Sequence, residues 1–372
     1  MANRKRHDIN FRLRSEIVRG HFPPGSRLPT RNELQIRYGA SSQTVQNVMD
    51  SLIREGFVHA NCAEGTFVTE NPPHLFHYGL VSYIDFTESR YLIAMKNAAE
   101  KVAKDGLCKF SYYCYEQAHI QTEGYKRLIS DVEAHRLAGL IFPFPAYGLE
   151  ETAVLKQAGL PRVINSTWKN TEIPQIAFRN TNFLEKAVDY LVAQGRKRIA
   201  VIRDYLHRED MDNDIDYLLK RGVGNPALMQ NCSATHAWSA HQATLMMMEL
   251  PGNKRPDGLI IGDDNLVEFA TEGLSKSGLR IPQELTVVAH CNFPDRPVSC
   301  VPVTRLGLDC LDLIRRDIEC LEAQRKGKKV SKFTEVPAVF ESELSTTKTQ
   351  RHEGVSDYNL VAGRRALVAS LP

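Results

Sequence analysis

Ser42, Gln43, Gln46 and Asn47 are short amide and hydroxyl side chains grouped within six residues. Carried on the first turns of a helix, such groups reach the donors and acceptors on base edges in a major groove. The residues interleaved with them supply that helix. Val45, Val48, Met49, Leu52 and Ile53 fall at i, i+3, i+4, i+7 and i+8, one apolar stripe. Ser41 is placed to cap it. Upstream, Thr30 and Glu33 have the spacing of a capping box. Pro29 leads the chain in, Leu34 faces inward, and Gly39 ends this shorter helix. After Gly56, residues 57–59 and 66–68 read as two short strands, and 61–65 as the turn between them. The stretch from Arg27 to Val68 therefore reads as a helix-turn-helix with a β-wing. Periodicity alone fits equally a helical hairpin that binds nothing.

The order and spacing of the motifs favour the first reading. Arg27-Leu-Pro-Thr-x-x-Glu-Leu is followed by Tyr38-Gly-Ala-Ser-Ser-x-Thr-Val, Leu52-x-x-Glu-Gly-Phe and Gly65-Thr-Phe-Val. Ile17-x-x-Gly20-x-x-x-Pro24-Gly25 precedes them. This series resembles the winged-helix domain of GntR-type transcription regulators over about the first seventy residues. The resemblance implies double-stranded operator DNA as partner. It puts Arg31, Asn32, Ser41, Ser42, Gln43, Thr44 and Gln46 from the helices at the DNA, with Gly65 and Thr66 from the wing. Relatives usually carry Arg where Asn32 stands, and often Arg at Ser42 and Gln46. The operator sequence is therefore left open. The basic arm Arg4-Lys5-Arg6 either contacts phosphates or is a solvated terminus.

A chain of 372 residues with 42% apolar content has room for two or three folded domains. Its net charge of +3 excludes a polybasic nucleic-acid coat, so DNA binding must be local. The eight cysteines form no C-x-x-C pair and mostly sit in apolar runs, as buried free thiols do in a reducing cytoplasm. No signal peptide and no membrane-spanning stretch is expected. Gly-x-Ser-x-Gly, P-loop, His-Glu-x-x-His and kinase motifs are absent, so no enzyme activity, cofactor or metal is expected. His236 and His241 lie five apart, off the i, i+4 spacing of metal-binding pairs.

Beyond a Pro-Pro connector at 70–74, read as stiff and extended, the pattern changes to strands alternating with helices. Short apolar strands are expected at 78–84, 110–115, 139–142, 162–164, 175–178, 198–202, 227–229, 258–261 and 285–289. Helices are expected between them, including 149–158, with a last long one at 306–322. Such alternation means parallel sheets covered on both faces. A restart near residue 175 divides it into two lobes. Open parallel sheets bind ligands beyond the carboxyl ends of their strands.

Residues 76–345 resemble the sugar-binding effector domain of LacI-type repressors, a periplasmic-binding-protein fold. The residues that carry this are Tyr78-Gly-Leu-Val, Gly139-Leu-Ile, Asn180, Gln194-Gly-Arg-Lys-Arg-Ile-Ala-Val-Ile, Arg255-Pro-Asp-Gly-Leu-Ile-Ile-Gly-Asp-Asp264, Gly278-Leu-Arg-Ile-Pro-Gln-Glu-Leu-Thr-Val-Val288 and Val303-Thr-Arg305. With its head, the chain resembles the arabinose-repressor branch. The fold expected is α/β: an N-terminal winged helix-turn-helix (1–73), a two-lobed periplasmic-binding-protein-like domain with parallel sheets (74–345), and an extension (346–372). The resemblance makes Asp264 a ligand for sugar hydroxyls. It places Arg179, Asp210 and Asn292 at family ligand positions whose usual residues have changed. Arg179 either holds an anionic group or forms an interlobe salt bridge with Asp210. Trp168 and Trp238 either stack on a sugar or pack. The expected protein is a cytoplasmic homodimeric regulator, probing an operator under the control of a sugar-like effector. The alternative is a ligand-independent DNA-binding or scaffolding protein that keeps the sensor fold.

Overall fold

The computed structural model describes residues 2–61, 64–106, 108–117 and 122–344. The expected extension at 346–372 lies outside them. The head consists of α1 (Ala2–Val18), α2 (Arg31–Tyr38), α3 (Ser42–Arg54), β1 (Val58–Asn61) and β2 (Gly65–Val68). Both halves of the capping box form: Thr30 Oγ1 accepts from the Glu33 amide, and Glu33 Oε2 accepts from the Thr30 amide at 2.7 Å. Gly39 closes α2 at φ 55°, where a side chain would be strained. Ser41 Oγ caps α3 by accepting from the Thr44 amide at 3.2 Å. Ile9, Leu13 and Ile17 of α1 pack with Leu34, Val45, Val48, Met49, Leu52 and Phe57 into one core. Ile53 departs from the expected stripe and is 39% exposed. At i+8 it sits about 80° around the helix from Val45, beyond the buried face.

The connector is not an extended spacer. Pro73 opens the single turn α4 (Pro73–Phe76), a position where a missing N–H costs nothing. His74 is buried and stacks on Phe57 of the head, rings 5.9 Å apart and within 7° of parallel.

The chain divides into two units, one holding residues up to Phe178 plus Cys310–Val336, the other Arg179–Asp309 plus residues from Pro337. The first, which includes the head, continues with β3 (His77–Ser82), α5 (Arg90–Asp105), β4 (Lys109–Cys114), α6 (Glu123–Glu133), β5 (Gly139–Phe142), α7 (Ala153–Lys156), β6 (Arg162–Ile164) and β7 (Gln175–Phe178). The second begins with α8 (Asn180–Ala193), β8 (Ile199–Arg203), α9 (Arg208–Lys220), β9 (Met229–Asn231), α10 (Ser239–Met248), β10 (Gly258–Ile261), α11 (Val267–Ser275), β11 (Thr286–Phe293) and β12 (Thr304–Asp309). The chain then returns to the first unit for α12 (Cys310–Arg325) and β13 (Phe333–Val336), and to the second for β14 (Val339–Phe340).

Each unit carries a six-stranded sheet, ordered β13-β7-β6-β5-β3-β4 and β14-β12-β11-β10-β8-β9. Every pairing in them is parallel except that of β14 with β12. The expected lobe boundary falls where the units divide, but the lobes are interleaved rather than sequential. Two expected helices are corrected. The one at 149–158 shrinks to the turn α7. The one at 306–322 splits, because 304–309 is strand β12 and the helix starts at Cys310. A buried parallel strand is apolar throughout, and periodicity cannot separate it from a helix. Gly307 fits only as glycine: a Cβ there would lie 2.0 Å from the Cys291 carbonyl oxygen of neighbouring β11.

Candidate DNA-binding and effector sites

The polar face of α3 is presented as expected, but its amides are already engaged. Gln43 is exposed and its Nε2 donates to Asn47 Oδ1 at 3.0 Å. Gln46 is held at both ends: Oε1 accepts from the Arg31 guanidinium, and Nε2 donates to Asp50 Oδ1 at 2.7 Å. Arg31 of α2 and Gln46 of α3 are thus brought together. Asn32 and Ser42 are exposed, while Ser41 and Thr44 are joined by their hydroxyls at 2.9 Å in the cap. Thr66 secures the wing through its carbonyl, which accepts from the Leu28 amide at 2.8 Å. At Gly65, φ is 116° and a Cβ would meet Arg27 Nε at 2.9 Å. The guanidinium of Arg27 therefore lies along the wing, and Asp50 joins the recognition face. Sequence reasoning missed both. An arginine at a wing and an acid one turn beyond Gln46 were the available signals.

In the second unit, Asp264 follows β10 and Asn292 lies near the carboxyl end of neighbouring β11. They are 3% and 4% exposed, and Asn292 Nδ2 donates to Asp264 Oδ2 at 2.8 Å. Two residues 28 positions apart thus form one buried pair where a parallel sheet receives ligands. Asp263 instead shapes the turn, its Oδ1 accepting from the amide and side chain of Asn265 at 2.8 and 2.9 Å. Burial, reinforced by Asp264, pushes the Cys291 thiol up to about 12, so it stays protonated. Burial also takes His290 down to about 4, against the pull of Asp263, and its ring lies 5.2 Å from that of Phe183.

Arg179 precedes α8 and Asp210 lies in the first turn of α9, both exposed. Both belong to the second unit, so a pair between them would lie within one lobe, not between two. Trp238, also in the second unit, is 58% exposed. Trp168 lies in the first unit, packed against its core and edge-on to Tyr147 at 5.8 Å. The same unit as the Asp264–Asn292 pair holds a polar group the sequence did not reveal. Asp214 Oδ2 accepts from Arg203 Nη1 and from the Tyr205 hydroxyl, each at 2.9 Å. Burial raises the Asp214 carboxyl and Arg203 opposes that rise. Among the described residues, no group of three or more His, Cys, Asp or Glu could hold a metal ion, and no helix is long and apolar enough to cross a membrane.

Residues 5–68 match the gntR family of bacterial regulatory proteins, and residues 188–339 match the periplasmic binding protein-like domain. The chain is therefore a two-part transcription regulator, with a GntR-type winged head on a periplasmic-binding-protein-like body. More particularly, it is 22% identical to an arabinose metabolism transcriptional repressor of Halalkalibacterium halodurans, over 94% of this chain and 98% of the relative. A repressor of the same name from Geobacillus stearothermophilus is 20% identical over 82% of this chain and 88% of its own. Among solved structures, the lactose repressor bound to an anti-inducer has a TM-score of 0.54 at 20% identity, covering 71% of this chain and 97% of that one. A LacI family regulator from Lactobacillus casei with bound glucose has a TM-score of 0.52 at 16% identity, covering 71% and 98%. Both share the fold.

Proposed function

We propose that this protein is a sugar-responsive repressor acting in the cytoplasm. Residues 1–73 form the DNA-binding head. Residues 74–345 form the effector-binding and dimerising body. Two heads of a homodimer read a near-palindromic operator. Gln43 and Gln46 face the bases, with Arg31, Asn32, Ser42 and Thr66 near the backbone. A small polyol binds at the Asp264–Asn292 pair and changes operator affinity. The observation that carries this reading is the buried Asp264–Asn292 pair at the carboxyl ends of β10 and β11. A carboxylate beside an amide offers acceptors and donors together, which suits adjacent hydroxyls of a sugar ring. Arg179 contributes if the effector carries an anionic group. The names of the full-length relatives make arabinose the first sugar to try.

The test is calorimetry and operator binding with wild type and Asp264→Ala, across neutral and acidic sugars. At a hundred times its dissociation constant, an effector should stabilise the body by about 2.7 kcal/mol. Asp264→Ala should remove that shift and the effect on operator affinity, while operator binding without sugar persists. An effector that acts on Asp264→Ala as on wild type would move the site elsewhere. If no sugar acts on wild type, the effector reading fails.

A further inference from the structure

We propose that Arg136 couples the body to the recognition helix, as the middle link of a polar chain from Glu55 to Tyr113. This deepens the regulatory reading above and rests on it. Glu55 ends α3. Within the head its carboxylate already accepts from the Arg14 guanidinium and, at 2.9 Å, from Ser51 Oγ. Arg136, in the loop after α6, brings Nη1 to 3.9 Å from Glu55 Oε2. The same guanidinium donates from Nε to Asp131 Oδ1 at 2.6 Å and from Nη2 to Ser130 Oγ at 2.8 Å. Asp131 Oδ2 accepts from the Tyr113 hydroxyl at 2.5 Å. Tyr113 is fully buried in β4, paired with Val81 of β3 in the first lobe's sheet. Two residues on, at the carboxyl end where this sheet would meet a ligand, the Tyr115 hydroxyl donates to the Tyr147 carbonyl at 2.9 Å.

Two further observations give the contact a regulatory character. The loop that presents Arg136 is held in an uncommon backbone form: His135 has φ 52°, its Nδ1 lies 3.2 Å from Gln157 Nε2, and its ring faces Phe11 of α1 at 6.2 Å. Around this contact, a cleft of about 1570 Å³ separates α1 and α3 from the lobe's α6 and its following loop. The seam is thus bridged by a few polar groups rather than filled by a core. Glu55 has its own partner in the head, and Arg136 its own in the lobe. The link between them is a second, longer interaction that either side can release without leaving a buried charge unpaired. Such a contact can differ between two states at little cost to either body.

The experiment uses the full-length protein, the operator duplex that wild type selects from a random pool, and arabinose as the first sugar probe. Calorimetry gives sugar affinity, titration gives operator affinity with and without saturating sugar, and melting gives stability. Coupling in wild type should change operator affinity about 5–150-fold. Arg136→Gln should keep its sugar affinity but lose most of that ratio, bringing it to about one. Arg136→Lys should retain part of it. A purely structural Arg136 would lower melting and leave the ratio intact, and that result overturns the proposal. If no sugar moves wild type, the effector reading has failed. The coupling is then decided by hydrogen exchange in β4 and α6 on adding operator duplex, since linkage is reciprocal. A change in wild type that Arg136→Gln abolishes supports the link. An unchanged wild type, or an equal change in both, overturns it.

Discussion

Asp317→Asn should raise the melting temperature at neutral pH and lose that advantage in acid. Asp317 lies on α12 with no exposed surface. Its Oδ1 accepts from Asn165 Nδ2 at 2.8 Å, while Oδ2 is buried without a hydrogen-bond partner among the described residues. Burial holds the carboxyl well above the ordinary range, and the Asn165 bond offsets only part of this. The unfolded chain gives the group its ordinary pKa of about 3.9. Above that pH the folded state keeps a proton that the unfolded state has released, so stability falls as pH rises toward the folded pKa. Asparagine keeps the Oδ1 acceptor and has no charge to desolvate. At the Oδ2 position it leaves two buried N–H donors without an acceptor, where the protonated acid leaves one O–H, and this offsets part of the gain. Avoiding the buried acid should gain on the order of 1–3 kcal/mol at neutral pH. For a unit of this size that is a rise of roughly 2–10 °C. Circular-dichroism melts of both proteins at pH 7 and below about pH 4 provide the assay. A variant equally or less stable at pH 7 would refute the reasoning, because it would mean the native carboxyl is ionised and stabilised there.

Thr30→Ala removes one half of the α2 capping box and should cost about 1 kcal/mol, read in thermal or urea melts of the full chain. Arg31→Ala should flatten the salt dependence of DNA binding by about one unit. Because Arg31 and Gln46 share a hydrogen bond, Arg31→Ala and Gln46→Ala should be non-additive in operator affinity, which a double-mutant cycle measures. Gly307→Ala should cost about 1–3 kcal/mol or more, since its methyl meets a backbone carbonyl rather than a movable side chain. Its melting transition should drop well below that of Gly278→Ala, where no atom lies within 4 Å of the new Cβ and only the positive φ is strained.

The head was legible almost residue by residue, because its signals are local. A capping box and a left-handed glycine act within single turns and the apolar stripe within about two, and Thr30, Gly39 and four of the five stripe residues, Val45, Val48, Met49 and Leu52, take the expected roles. Strands β5, β6, β7 and β10 matched the expected bounds because turn residues delimit them. β12 was misread because its apolar run joins that of α12 without a break, and only pairing with β11 distinguishes the two. In the body, Asp264 and Asn292 are expected as ligand positions only through resemblance to relatives, and the structure adds that they touch. The Arg203–Tyr205–Asp214 group was not legible. Its members bond across a strand, a loop and a helix, and no local pattern encodes such a meeting. Gln46 was read as a free reader of bases. Its ties to Arg31 and Asp50 depend on how two helices cross, which spacing along one helix does not reveal.

The interleaving of the two units has a consequence for synthesis. The first lobe's sheet needs β13 beside β7, and its α5 packs on α12, yet both partners lie after Asp309. As the chain leaves the ribosome, strands β8 to β12 of the second lobe are all made before the first lobe can close. Domains tend to fold in order of emergence. Here the head and strands β8 to β12 of the inserted lobe can each assemble while β7 still waits with an open edge, and β14 joins β12 only afterwards. That edge, from Gln175 to Phe178, is the stretch a nascent chain must shield until residues 310–336 arrive.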